Sequence, residues 1–274
     1  MYHTEYICDK EYMLSYRYSA SLSKNVLFLF HGFGQSNQVF EPFILNVLSD
    51  YTVISVDLFF HGGSVIDASS VDFLTVEKWN VLFRKIIEKH NIERFSILAY
   101  SMGARYAMTT LFKHATFIDK IVLIAPDGFG SNFWMKLATS THASRIVFKV
   151  FLEFTFLIKL LSLITKWIGI IDTATYRFVN KNIASKEQRG QLYHSWVTVR
   201  NLFISTQEFV TFVKSNGIKC IAVIGMRDQF VAAGTVKDVC IKTDSNYIEV
   251  DASHKNTLQN IYSLEVMSFL ISDR

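Results

Sequence analysis

Two prolines and three cysteines in 274 residues leave this chain little to punctuate or cross-link it. No linker and no internal repeat is visible, and the length accommodates one large domain with an inserted segment and an ample core. Cys8, Cys220 and Cys240 show no paired spacing, which argues against a disulfide framework. Two of them fall on apolar strand or helix patterns and read as buried thiols of a reducing, cytoplasmic compartment. Like charges never form a run and the net charge is only +4, so nucleic acid is not an expected partner. No Cys or carboxylate stands at metal-ligand spacing from a histidine, and neither a metal nor another cofactor is expected. The start, Met1-Tyr2-His3-Thr4-Glu5, lacks the basic opening and apolar core of a secretion signal, so none is expected.

What is present in quantity is apolar surface: 50% hydrophobic and 15% aromatic residues, enough for buried sheets and a greasy pocket. Alternating residues at 2–8 and 13–18 predict two antiparallel opening strands. Apolar runs at 26–30, 51–56, 95–100 and 120–125 then alternate with helical patterns near 40–48, 76–90 and 102–113. Such a rhythm predicts right-handed βαβ crossovers and a mostly parallel sheet. It stops after Asp127-Gly128-Phe129, is helical from about 132 to 205, and resumes with strands at 219–225 and 247–250. The count comes to eight strands.

One stretch carries chemistry more plainly than the rest: Ile97-Leu98-Ala99-Tyr100-Ser101-Met102-Gly103-Ala104-Arg105. An apolar strand leads into a serine and a small-residue helix leads out, the layout of a nucleophile elbow. The residues two before and two after the apex must be small, and Ala99 and Gly103 are. A serine needs an imidazole to take its proton and a carboxylate to orient that imidazole. In a doubly wound sheet these follow in the order serine, acid, histidine at later strand ends. Asp228 leaves the strand at 219–225, and His254 follows the strand at 247–250. Two backbone N–H groups must also face the developing oxyanion. The loop His31-Gly32-Phe33-Gly34 supplies the amide of Phe33, and Met102, just after the serine, supplies the second. Gly32 lets the loop come close to a substrate.

These residues, with Asp57 through Ser64, resemble the α/β-hydrolase fold superfamily, in the group of single-chain esterases, lipases and carbon–carbon bond hydrolases. Ala99 stands where that family usually has glycine, and Phe59-Phe60 where a Pro-Gly pair is common. The resemblance implies an α/β-hydrolase fold: an eight-stranded, mostly parallel sheet flanked by helices, with a helical cap inserted after strand 6. It implies Ser101 as nucleophile, Asp228 as acid, His254 as base, and Phe33 with Met102 at the oxyanion hole. The core domain is expected over 1–130 and 206–274, and the cap over 131–205. The implied activity is hydrolysis of a small-molecule carboxylic ester, or related acyl substrate, with an apolar moiety.

Other readings stand beside these. Asp127, after the strand at 120–125, is the rival acid, whereas Asp251 more simply solvates its own turn. His31 and His61 read as structural loop residues. Arg105 forms either a salt bridge within the core or an anion clamp at the site. The second role belongs to an alternative resemblance, the menaquinone-pathway synthase of this fold, a lyase that eliminates pyruvate. Carbon–carbon or thioester hydrolysis, and a non-catalytic ligand-binding member of the fold, are further alternatives. Within the cap, residues 146–171 are intensely apolar but interrupted by Lys149, Glu153, Lys159 and Lys166. That is too charged for a span of about 20 apolar residues. It reads as two helices packed on the core or, alternatively, as a basic amphipathic lid making peripheral membrane contact. Trp196 and Arg200, four residues apart on one helical face, are substrate-binding candidates, as is Arg105.

Overall fold

The computed structural model describes residues 2–67, 74–129 and 133–272. Alternation opens the chain as a hairpin: β1 (Tyr2–Asp9) pairs antiparallel with β2 (Tyr12–Ser19), from Tyr2 opposite Ser19 to Asp9 opposite Tyr12. β3 (Val26–Phe30) is five apolar residues, all buried, as a strand covered on both faces must be. A 3-10 turn at Asn37–Phe40 feeds α1 (Glu41–Val47), and β4 (Thr52–Val56) follows. The two-residue β5 (Val65–Ile66) pairs with β2. α2 (Val76–Lys89) starts where the Thr75 hydroxyl accepts the Lys78 N–H. β6 (Phe95–Tyr100), α3 (Gly103–His114) and β7 (Ile118–Ile124) complete the first series.

Five helices come next: α4 (Phe133–Thr139), α5 (His142–Phe151), α6 (Thr155–Trp167), α7 (Thr173–Asn182) and α8 (Lys186–Val199). The chain then forms α9 (Thr206–Ser215), β8 (Lys219–Gly225), α10 (Ala233–Lys242) and β9 (Asn246–Val250). α11 (His254–Thr257) and α12 (Leu264–Ile271) end it.

Among the described residues nine strands form one sheet, ordered β1-β2-β4-β3-β6-β7-β8-β9, with β5 beside β2. From β4 through β3 to β9 every pairing is parallel. β3 lies between β4 and β6, so the winding reverses there, and the carboxyl ends of β3 and β6 flank the crevice where such sheets bind ligands. The core beneath is aromatic: Phe28, Phe30, Trp79, Phe83 and Phe95 pack ring against ring. The buried Trp79 indole N–H is satisfied by the Tyr106 carbonyl and the Thr110 hydroxyl.

The chain divides into two compact units, Met1–Gly130 with Asn201–Arg274, and Ser131–Arg200. The junction expected at 130/131 lies outside the described residues. At the other end the second unit stops at Arg200 rather than 205, because α8 ends at Val199 and residues 201–205 run non-helically into the Ser205 cap of α9. The two helices expected over 146–171 correspond to α5 and α6, two of the five that the described residues of the second unit form. Two details differ from the expectation. The sheet has a ninth strand, β5, too short to show alternation. α10 also escaped the pattern reading; its buried Val236, Val239 and Cys240 make only a narrow apolar stripe.

Candidate active site

The serine sits where strand becomes helix. Ser101 follows β6 directly and has φ of +52°, a left-handed backbone that non-glycine residues rarely adopt. Its amide donates to the Ile124 carbonyl (3.0 Å), and its carbonyl accepts from Ala104 (2.9 Å) and Asp127 (3.1 Å). These bonds to β7 and α3 hold the strained turn in place. Gly103 is needed for contact rather than for conformation. A Cβ there would lie 2.4 Å from the Phe30 carbonyl oxygen and 2.6 Å from that of His31, so α3 starts this close to β3 only without a side chain.

A hydrogen-bond chain runs from the serine to a buried carboxylate. Ser101 Oγ is 2.7 Å from His254 Nε2, and His254 Nδ1 is 2.7 Å from Asp228 Oδ2. With Nδ1–H donating to Asp228, Nε2 is left as an acceptor facing the serine hydroxyl. The Asp228 side chain is 1% exposed against 20% for the imidazole, so the carboxylate is shielded while the ring keeps an open edge. Its other oxygen, Oδ1, accepts the amides of Phe230 (2.8 Å) and Val231 (3.2 Å). Such bonding fixes the orientation of the buried carboxylate.

Two aromatic residues to which the sequence reading gave no role complete the arrangement. The Tyr100 hydroxyl donates to the His254 backbone carbonyl (3.0 Å), tying β6 to the histidine loop, and burial raises its pKa. The Phe230 ring meets the imidazole edge-on at 5.3 Å. One signal pointed to Tyr100: a tyrosine ending a buried strand must find a partner for its hydroxyl.

The loop after β3 is latched to the loop after β4 by two histidines. His31 Nδ1 donates to the Gly32 carbonyl (2.7 Å) and its Nε2 accepts the Leu58 N–H (3.0 Å). His61 Nδ1 donates to the Phe59 carbonyl (3.0 Å), and its Nε2 accepts the Gly34 N–H (2.9 Å). Both rings are therefore neutral with the proton on Nδ1. Burial lowers the pKa of His31 to about 4 and, with the nearby His31 ring, that of His61 to about 3. The Phe33 ring stands edge-on to His61 at 5.4 Å, within this latched segment. Buried Asp57 secures the second loop, accepting from Asn37 N (2.8 Å), Gly63 N (3.0 Å) and Ser15 Oγ (3.1 Å).

The remaining candidates are placed as follows. Asp127 pairs with Arg105 through two bonds, Nε to Oδ2 at 2.7 Å and Nη2 to Oδ1 at 3.0 Å, and the guanidinium is 3% exposed. Of the two rival acids, Asp228 is the one bonded to His254. Asp251 pairs with Arg227 (2.7 Å) at the surface. The Gly32 amide donates to Gln35 Oε1 (2.9 Å), and a Cβ on Gly32 would meet the Tyr100 ring at 2.8 Å. Met102 begins α3 as its N-terminal flanking residue. Trp196 and Arg200 belong to the second unit, where the Trp196 ring stacks on Phe148 (5.5 Å) and Arg200 donates to the Val197 carbonyl. Among the described residues no group of three His, Cys, Asp or Glu is placed to hold a metal ion.

Residues 25–154 match the family described as alpha/beta hydrolase fold, a span that includes Phe33 and Ser101. A probable lysophospholipase of Arabidopsis thaliana, BODYGUARD 4, is 27% identical over 112 residues, which make up 40% of this chain and 26% of that protein. The matches thus span only about a quarter of the length of the curated relatives. Carboxylesterase CesB of Bacillus subtilis superposes with a TM-score of 0.64 at 15% identity, covering 100% of this chain and 93% of that one. The enol-lactonase of Burkholderia xenovorans LB400 does so with a TM-score of 0.66 at 13% identity, covering 98% and 100%. At such identities the likeness is one of fold.

Proposed function

From the match of residues 25–154 to the alpha/beta hydrolase fold family and the likeness of fold over nearly the whole chain, we propose that the protein is a member of that superfamily and a serine hydrolase of a carboxylic ester, or related acyl compound, with an apolar moiety. The observation that carries this reading is the continuous chain from Ser101 Oγ through His254 to Asp228, with 2.7 Å at both links and the serine in left-handed backbone. An N-capping serine or a surface histidine has no need of either feature.

In this reading His254 Nε2 takes the hydroxyl proton as Ser101 Oγ bonds to the acyl carbon, and Asp228 stabilises the imidazolium and keeps its ring oriented. The amides of Phe33 and Met102 stabilise the tetrahedral oxyanion, a contribution of about 3 kcal/mol for each donor. The imidazolium then protonates the departing alkoxide. Water, deprotonated by His254, attacks the acyl-serine, and the acid leaves as Ser101 regains its proton. The segment Ser131–Arg200 takes the part of the cap in this reading.

Support comes also from the relatives, among them a carboxylesterase, an enol-lactonase and a probable lysophospholipase, all named for ester chemistry. The pyruvate-eliminating alternative requires Arg105 for a substrate carboxylate, and that guanidinium already faces Asp127. A fluorophosphonate probe tests the proposal. Covalent labelling at Ser101 is expected, together with a loss of about 10⁴-fold or more in p-nitrophenyl ester turnover in Ser101→Ala. An unlabelled serine, or full turnover by the variant, refutes it.

A further inference from the structure

We infer that α5 and α6 form a docking face for an anionic membrane surface, on which they lie rather than cross. This goes beyond the chemistry at Ser101 and does not depend on it.

The first observation is exposure. Ile146, Val147, Val150 and Phe151 on α5, and Phe156, Leu157, Leu160, Leu161, Leu163, Ile164 and Trp167 on α6, all lie open to solvent, Trp167 at 86% and Phe156 at 79%. Single exposed apolar residues are ordinary, whereas seven along one helix, with four more on the helix before it, mark an interaction surface.

The second is the placement of lysines. A six-residue pattern of two apolar residues, one further residue, lysine and two apolar residues occurs three times: Ile146 to Phe151, Phe156 to Leu161, and Leu163 to Ile168. It is too brief to register as a sequence repeat, and the structure gives it meaning. At about 100° per residue, the exposed apolar side chains of α6 sweep roughly 160° of its circumference. Lys159 and Lys166 fall together just beyond one edge of that arc, and the buried Ile158 and Ser162 lie on the opposite side. On α5, Lys149 takes the same place relative to Ile146 and Val150. A lysine at the border of an apolar arc can lay its stem along the acyl region and hold its ammonium among headgroups. The Lys149 and Lys166 ammoniums stand over the rings of Tyr193 (5.9 Å) and Tyr176 (4.8 Å), and among the described residues neither they nor Lys159 form a salt bridge with a carboxylate.

Charge identifies the occupant. Residues 131–200 carry ten Lys and Arg against three Asp and Glu, whereas the rest of the chain carries 18 against 21. A second copy would bring the same positive border to this face and be repelled, while an anionic lipid surface complements it. Length decides between lying and spanning. α6 has 13 residues, about 20 Å, short of a hydrocarbon core of about 30 Å. No helix among the described residues is long and apolar enough to cross a membrane.

The test uses the full chain carrying Ser101→Ala, so that binding is read without turnover. It is mixed with phosphatidylcholine vesicles, with and without a minority of phosphatidylserine. Co-sedimentation with the phosphatidylserine vesicles is expected, weakened by added salt, with a blue shift of tryptophan emission that Trp167→Phe removes. Lys149→Gln, Lys159→Gln and Lys166→Gln together should lower partitioning about a hundredfold. Phe156→Ser with Trp167→Ser should abolish it while circular dichroism stays unchanged. Equal binding to neutral and anionic vesicles overturns the inference. So does binding to neither, or self-association in solution that shields Trp167.

Discussion

At the scale of single residues, two aspartates compete for one role and the structure gives them different partners. Asp228 holds His254 Nδ1, and Asp127 holds the buried Arg105. Their isosteric variants should therefore fail in opposite ways. Asp228→Asn presents an amide N–H where an acceptor is required, favours the wrong imidazole tautomer, and is expected to lower ester turnover about 10⁴-fold with little change in melting temperature. Asp127→Asn leaves a guanidinium buried without its counter-charge, and is expected to cost about 3 kcal/mol of stability while turnover of the folded enzyme changes little. Turnover and thermal melting of the two variants separate these outcomes; a turnover loss confined to Asp127→Asn would assign the acid to the earlier strand.

At the scale of elements, the site depends on how closely helix approaches strand. α3 begins against the end of β3 because Gly103 has no side chain, and the atoms that a Cβ would meet are backbone carbonyl oxygens of Phe30 and His31. Backbone yields less readily than a side chain. Gly103→Ala is therefore expected to push α3 away from β3, costing about 1–3 kcal/mol and misplacing Ser101 and the Met102 amide together. A lowered melting temperature with a larger fall in kcat than rise in KM is the expected signature. An unchanged melting temperature would show that the elbow has slack. Two residues, Tyr100 and Phe230, join elements that are distant in sequence by gripping the histidine loop, a role that no motif assigns to either.

For the whole molecule, buried neutral histidines couple stability to pH. His31, His61 and His114 all have their pKa lowered by burial, the first two to about 4 and about 3 from an ordinary 6.5. In the unfolded chain these rings take up protons near 6.5, whereas in the folded protein they resist until far lower pH. The unfolded state thus binds more protons across that window, and acid shifts the balance toward it. Their contribution is fully present above about pH 6.5 and is lost as pH falls toward 4, with roughly 3 kcal/mol from His31 alone. Lowered carboxylates such as Glu5, at about 2, extend the loss further into acid. Burial alone would raise Glu5, but hydrogen bonds from Lys89, Tyr16 and His3 outweigh it. Urea midpoints measured from neutral pH downward should fall steadily through this range, and His61→Gln should flatten the slope. A midpoint independent of pH between 6.5 and 5 would contradict the buried neutral latch.

What the amino-acid order determined by itself was whatever depends on neighbours along the chain. Five consecutive buried apolar residues in β3, the small residues around Ser101 and the alternation of strands with helices were all legible, because periodicity and local sterics act over a few residues. So was the candidate trio, since the fold brings strand ends to one edge in a set order. Tertiary structure alone shows which of Asp228 and Asp127, both of which follow strands in the same way, bonds to His254. The choice rests on which carboxylate meets Nδ1, a distance between segments 26 residues apart. It also decided that the lysines of α5 and α6 border an exposed apolar arc. Hydropathy reports how apolar a helix is, whereas burial against other elements determines which of its faces remains open.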